Sequence, residues 1–140
     1  MEFIWTKNEV ANTSVTLYET NITLNKAACE HFEDINYVLL GRDKEKRLLA
    51  IKPITKEEVD LNIYPKMNLH KISLGKSYGR ISNKNFMNDL ALDYNLSYTK
   101  DKGIKYDAFF DENKHILVIQ LWKGDSMYAN DNNMATCINI

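Results

Sequence analysis

The sequence predicts an α+β domain. It reads as two β-β-α-β-β repeats, about residues 15–53 and 72–121, interleaved into one pseudo-two-fold β-barrel with short flanking helices. Three observations lead there. The first is self-similarity. A shift of 57 sets Val15, Thr16 and Leu17 on Ile72, Ser73 and Leu74, and Leu24 on Ile81. A shift of 68 sets residues 43–52, D-K-E-K-R-L-L-A-I-K, on residues 111–120, D-E-N-K-H-I-L-V-I-Q. The 11-residue difference falls after the second helix, around residues 99–105. The second observation is the run of short apolar segments with period two, bounded by polar turns. The third is size. A 39-residue unit is too small to bury its own hairpin, whereas two interleaved units bury both and remove exposed strand edges.

In chain order, residues 1–14 carry the apolar cluster Phe3-Ile4-Trp5 and then polar residues, an edge strand or a loosely packed arm. Residues 15–18 and 22–24 read as strands around the turn Glu19-Thr20-Asn21. Asn25 is a helix cap for a short helix over residues 26–32, with Ala28 and Phe32 one turn apart on the core side. Residues 37–40 and 48–51 form a hairpin around the charged turn 41–47, and Pro53 ends its second strand. Residues 54–69 are the linker, in which Thr55 and Glu58 fit a capping box and Pro65 closes a short helix. The second unit starts at residue 70, turns at residues 75–80 and continues through Ile81. Asn83 caps a longer helix whose apolar face is Phe86, Met87, Leu90 and Tyr94. Residues 96–105 are polar loop, and residues 106–110 and 115–122 form the second hairpin. Residues 123–140, rich in asparagine, read as a mobile tail.

Length of 140 residues and 44% hydrophobic content fit one domain of ordinary globular composition. No apolar run is long enough to span a membrane, and the start of the chain lacks a signal-peptide pattern, so the expectation is a cytoplasmic protein without a membrane partner. Cys29 and Cys137 are then expected as free thiols, Cys29 as a small core side chain. The net charge of −1 does not itself point to nucleic acid. Its distribution does more: residues 66–105 hold eight basic and three acidic side chains, so the middle of the chain is locally +5. That is a phosphate-binding patch or a solvated surface.

No motif names a reaction. Gly75-Lys76-Ser77 lacks the glycine a phosphate loop needs at position 70, which is His70. His31, His70 and His115 have no ligand spacing with one another or with the cysteines. Glu57-Glu58 and Asp111-Glu112 lie in linker and turn, where solvation accounts for them. The expectation is a non-enzyme with no cofactor and no metal.

The order strand, turn, strand, helix, hairpin, with Gly79-Arg80-Ile81-Ser82 at the second unit's turn, resembles the swapped-hairpin unit of the AbrB, MazE and MraZ proteins. Two units in one chain are similar to the arrangement in MraZ. The first unit departs from the pattern, with Thr20-Asn21 where Gly-Arg would stand, and the family's proline at the helix start is missing. The resemblance implies a small DNA-binding transcriptional regulator. Lys76, Arg80 and Lys84 would supply positive charge, Tyr78 a stacking or phosphate contact, and Lys26 with Asn21 and Asn25 the weaker first-unit equivalent. Arginine suits such a role because its planar fork pairs with guanine or phosphate through two hydrogen bonds. Glycines at 75 and 79 would let another backbone approach. The other reading is a non-enzymatic protein-interaction module that keeps the barrel without binding DNA. The oligomeric expectation is a monomer with internal pseudo-symmetry or a homo-oligomer.

Overall fold

The computed structural model describes residues 2–5 and 12–126. Eight antiparallel strands close into a barrel. They are β1 Ser14–Leu17, β2 Asn21–Asn25, β3 Tyr37–Asp43, β4 Leu48–Ile54, β5 His70–Leu74, β6 Tyr78–Ser82, β7 Ile104–Asp111 and β8 Ile116–Ser126. The helices are α1 Lys26–Cys29, continued by a 3-10 turn Glu30–Phe32, then α2 Lys56–Asp60 and α3 Lys84–Tyr94.

Around the barrel the order is β1-β2-β6-β5-β3-β4-β8-β7. Hairpin ladders within one half of the chain (β1·β2, β6·β5, β3·β4, β8·β7) alternate with ladders between the halves (β2·β6, β5·β3, β4·β8, β7·β1). Each ribbon therefore finds its second neighbours only on strands from the other half, and closure leaves no strand standing wholly at a sheet edge. Strand alternation turns Val15, Leu17, Ile22, Leu24, Leu49 and Ile51 inward, where they meet Ile81, Leu117 and Ile119 in one apolar cluster. Ala28 and Phe32 of the first helical segment and Met87, Leu90 and Tyr94 of α3 pack into the same cluster. Tyr106 is also within it, and burial pushes its hydroxyl up to about 12. Burial raises Tyr98 too, whose hydroxyl donates to the Met87 carbonyl.

The helix ends follow from local chemistry. Asn25 Oδ1 accepts from Ala28 N at 3.0 Å, and Asn83 Oδ1 accepts from Phe86 N at 3.0 Å. Thr55 and Glu58 make the full capping box of α2. α3 ends on Asn95 in the left-handed conformation, φ 55°. The β3–β4 hairpin of the first half grips that end of α3. Arg47 Nη2 donates to the Tyr94 carbonyl at 3.2 Å with its guanidinium 5.2 Å from the Tyr94 ring centroid, and Arg42 pairs with Asp93 at 2.6 Å.

The two long hairpins turn alike. Asp43 pairs with Leu48 and Asp111 with Ile116. Asp43 Oδ1 accepts from Lys46 N at 3.1 Å, and Asp111 Oδ1 from Asn113 N at 3.0 Å and Lys114 N at 3.1 Å. Arg47 (φ 54°) and His115 (φ 59°) then take the left-handed conformation that leads back into the strand.

Two sequence expectations change. Pro53 does not end β4; it pairs with Val38, and β4 runs to Ile54. The ladder from β4 to β8 stops at Ile51↔Leu117, so one flank of Pro53 makes no demand for an N–H. β8 continues to Ser126, pairing Gly124, Asp125 and Ser126 with Tyr106, Lys105 and Ile104. The stretch 123–126 is thus strand rather than tail, and 127–140, with Cys137, lies outside the described residues. Of the two readings of the apolar cluster near the start, the edge strand is absent and the loosely packed arm remains: Ile4 is 97% and Trp5 83% exposed. The linker contributes no fully buried residue from α2, and Leu61, Ile63 and Met67 are exposed along it. Among the described residues no helix is long and apolar enough to cross a membrane.

Candidate functional site

The ladder between β2 and β6 carries the predicted residues. Its register is Asn21↔Ser82, Ile22↔Ile81, Thr23↔Arg80, Leu24↔Gly79 and Asn25↔Tyr78. Period two sends Ile22, Leu24, Gly79 and Ile81 inward, and leaves Asn21, Thr23, Tyr78 and Arg80 on the outer face. The Arg80 guanidinium lies 5.9 Å from the centroid of the Tyr78 ring. Thr23 Oγ1 donates to Asn21 Oδ1 at 2.9 Å, and Asn21 Nδ2 donates to Thr20 Oγ1 at 3.1 Å, which fixes the Asn21 amide. These side chains meet in an open depression of about 320 Å³ lined by Tyr18, Asn21, Thr23, Tyr78, Arg80 and Lys100. Its two charged residues are both cations.

Asn21, Tyr78 and Arg80 are therefore brought together. Lys26, Lys76 and Lys84 are exposed and flank the ladder without lining the depression. Lys26 follows Asn25, and Lys76 lies in the turn before Tyr78, which puts both at the Asn25↔Tyr78 end. Lys84 opens α3 at the other end, where Asn83 N donates to the Thr20 carbonyl at 3.1 Å. Asn25 is occupied by structure: its oxygen accepts from Ala28 N and Ser14 N, and its nitrogen donates to the Asn12 carbonyl.

Tyr18, Thr23 and Lys100 line the depression without having been singled out in the sequence, and the least expected is Lys100. It arrives on the polar loop after α3, which is pinned to the β1–β2 turn by Glu19 N donating to the Thr99 carbonyl at 3.0 Å. Gly103 lets the loop lie flush. A Cβ there would stand 2.6 Å from Thr16 Cγ2 and 2.8 Å from Tyr18 Cε1. A glycine after lysines in a polar stretch was the available signal, but its neighbour across the fold was not readable.

Gly79 has a different task from the one expected. Its missing Cβ would lie 2.9 Å from Cys29 Sγ and 2.9 Å from Leu74 Cδ2, so it admits α1 onto the barrel rather than a ligand backbone. Burial pushes the Cys29 thiol up.

A second depression, about 420 Å³, lies over β7 and is lined among others by His31, Asp107, Phe109, Phe110 and Glu112. His31 stacks flat on Phe110 with centroids 4.2 Å apart, and His115 meets the same ring edge-on at 5.1 Å. Among the described residues no group of three or more His, Cys, Asp or Glu could hold a metal ion.

Comparison of the chain with protein-family models, with curated proteins and with solved structures finds no match in any of the three.

Proposed function

We propose that this protein is a cytoplasmic DNA-binding regulator of the swapped-hairpin kind, and that it touches DNA with the outer face of β2 and β6. The observation that carries the reading is the convergence of Arg80, Lys100, Tyr78 and Asn21 on one depression with no acidic side chain in its lining. Lys26, Lys76 and Lys84 extend the positive charge past both ends of the ladder. Arginine and asparagine present the donors that base edges accept, and the lysines suit phosphates.

The barrel in this reading is a duplicated unit. Exchanging β1–β4 for β5–β8 leaves the cyclic strand order unchanged. The hairpins also agree in register: Val15↔Leu24 corresponds to Ile72↔Ile81, and Asp43↔Leu48 to Asp111↔Ile116. Thr23 and Arg80, equivalent at a shift of 57, are direct partners at the centre of their ladder. The ladders β1·β7 and β3·β5 differ by about two residues in register, which accompanies the bulge between Tyr106 and Ala108. One consequence is that the first unit offers Thr23 where the second offers Arg80, so at this register Ile22-Thr23, and not Thr20-Asn21, stand in the place of Gly79-Arg80.

Anisotropy of labelled DNA, duplex and single-stranded, from 50 to 200 mM salt tests the function. With about four cations on phosphate, affinity should fall on the order of a hundredfold across that range. Arg80→Ala should weaken binding and shallow the salt slope. No binding of either DNA at 50 mM salt overturns the proposal.

The second reading, a protein-interaction module, is favoured by the exposed Leu61, Ile63 and Met67 on the linker. Its sign is a partner captured equally well after nuclease treatment and lost on Met67→Asp.

A further inference from the structure

We infer that the depression on β2 and β6 takes one unstacked base of a single DNA strand, so that the protein prefers single-stranded to duplex DNA; this rests on the DNA-binding reading above. The first ground is width. β2 and β6 do not project as a two-stranded ribbon, because β1 and β5 are hydrogen-bonded on either side of them. Four adjacent strands at about 4.8 Å spacing make a face more than about 14 Å across. The major groove is about 12 Å wide, so this face cannot enter it as a free β-ribbon does.

The second ground is shape. The loop carrying Thr99 and Lys100 is fastened to the β1–β2 turn through Glu19 and Gly103, and makes one wall of the depression. A single strand threads beside that wall, with room in about 320 Å³ for a base and its sugar.

The third ground is chemistry. Tyr18 and Tyr78 both line the depression, and Tyr78 is 48% exposed, which leaves much of its ring open to stacking. The Arg80 guanidinium beside that ring and Lys100 on the wall can hold the phosphates that flank a stacked base. Aromatic faces set in a cationic groove bind single strands with little demand on sequence, because every base has a π face. Asn21, its amide already oriented by Thr20 and Thr23, can favour a particular base edge beside the fork of Arg80.

Anisotropy with a labelled mixed-sequence 12-nucleotide strand and the matching 12-base-pair duplex, at one low salt concentration, tests the inference. The expected result is at least tenfold tighter binding of the single strand. Tyr78→Leu should lose about tenfold on the single strand, while Tyr78→Phe, which keeps the ring, should lose almost nothing. Tyr78 is on the surface, so both variants should keep the wild-type circular dichroism and melting temperature. Duplex bound as well as or better than the strand, or Tyr78→Leu equal to Tyr78→Phe, overturns the inference and leaves DNA binding standing. Failure of both DNAs to bind overturns the two together.

Discussion

Arg47 is the residue on which the grip between the two halves of the chain can be measured. It belongs to the β3–β4 hairpin, and its side chain reaches the end of α3, donating to the Tyr94 carbonyl and lying over the Tyr94 ring. Replacing it with alanine removes both contacts and a cation at a helix C-terminus. Because Arg47 is only half-buried, each contribution belongs at the low end of its range. That is about 1 kcal/mol for the hydrogen bond and roughly 0.5–1 kcal/mol for the ring contact, so Arg47→Ala should cost about 2 kcal/mol. Arg47 also holds φ at 54°. A left-handed conformation costs a non-glycine residue roughly 1–2 kcal/mol, partly offset in glycine by its greater freedom when unfolded. Arg47→Gly should therefore be less damaging than Arg47→Ala, by about 0.5–1 kcal/mol. Urea unfolding reads both: with a slope of about 1–3 kcal/mol/M, the alanine variant's midpoint should drop by about 1 M. An alanine variant within 0.5 kcal/mol of wild type, or a glycine variant below it, refutes the account of this clasp.

Two further predictions concern the same packing. Asn83 Oδ1 is occupied by Phe86 N, which turns its amide nitrogen to His70 Nδ1 at 3.0 Å and requires that ring nitrogen to be an unprotonated acceptor. Burial also lowers the His70 pKa, so the stability tied to neutral His70 is present above the unfolded value of about 6.5 and is lost as pH falls through the folded one. Thermal melts from pH 8 to 5 should show that fall in wild type and a shallower one in His70→Gln; parallel curves would remove His70 as the cause. Gly79→Ala should destabilise by about 1–3 kcal/mol through contact with Cys29 and Leu74, and Cys29→Ala in the same chain should recover part of it. A neutral Gly79→Ala melt, or no recovery in the double variant, removes the packing role assigned to that glycine.

What was legible in the chain was local. Asn25, Thr55 with Glu58, and Asn83 cap their helices because each bonds an amide three residues away, a relation that sequence displays directly. Tyr78, Arg80 and Asn21 were singled out through the resemblance to the swapped-hairpin turn; that they share one outer face follows from the pairing of β2 with β6, which no local pattern displays. Pro53 was misread because tolerance of proline depends on which flank of β4 is unpaired, and that is decided by where β8 ends its ladder. The polar end of β8 was read as tail because its pairing partners are on β7 beyond the bulge. Lys100 escaped because its place depends on the contact between Glu19 and Thr99, across most of the chain. Gly79 was given to a ligand when its neighbour is Cys29, fifty residues earlier.

The alternation of ladders around the barrel has a consequence at the ribosome. When residue 54 emerges, β1 through β4 have been made but their outer hydrogen-bonding groups await β5 through β8. At about 5–20 residues per second, the strands that satisfy them follow over roughly 3–13 seconds. Throughout that interval the nascent chain presents two unfinished ribbons, and a neighbouring nascent chain on the same message presents the same ones. The exposed linker, which adds no buried residue from α2 to the core, is the segment that would have to reach across if two such chains completed each other. Translation speed between β4 and β8 thus decides how long each polypeptide remains open to a partner before it seals on itself.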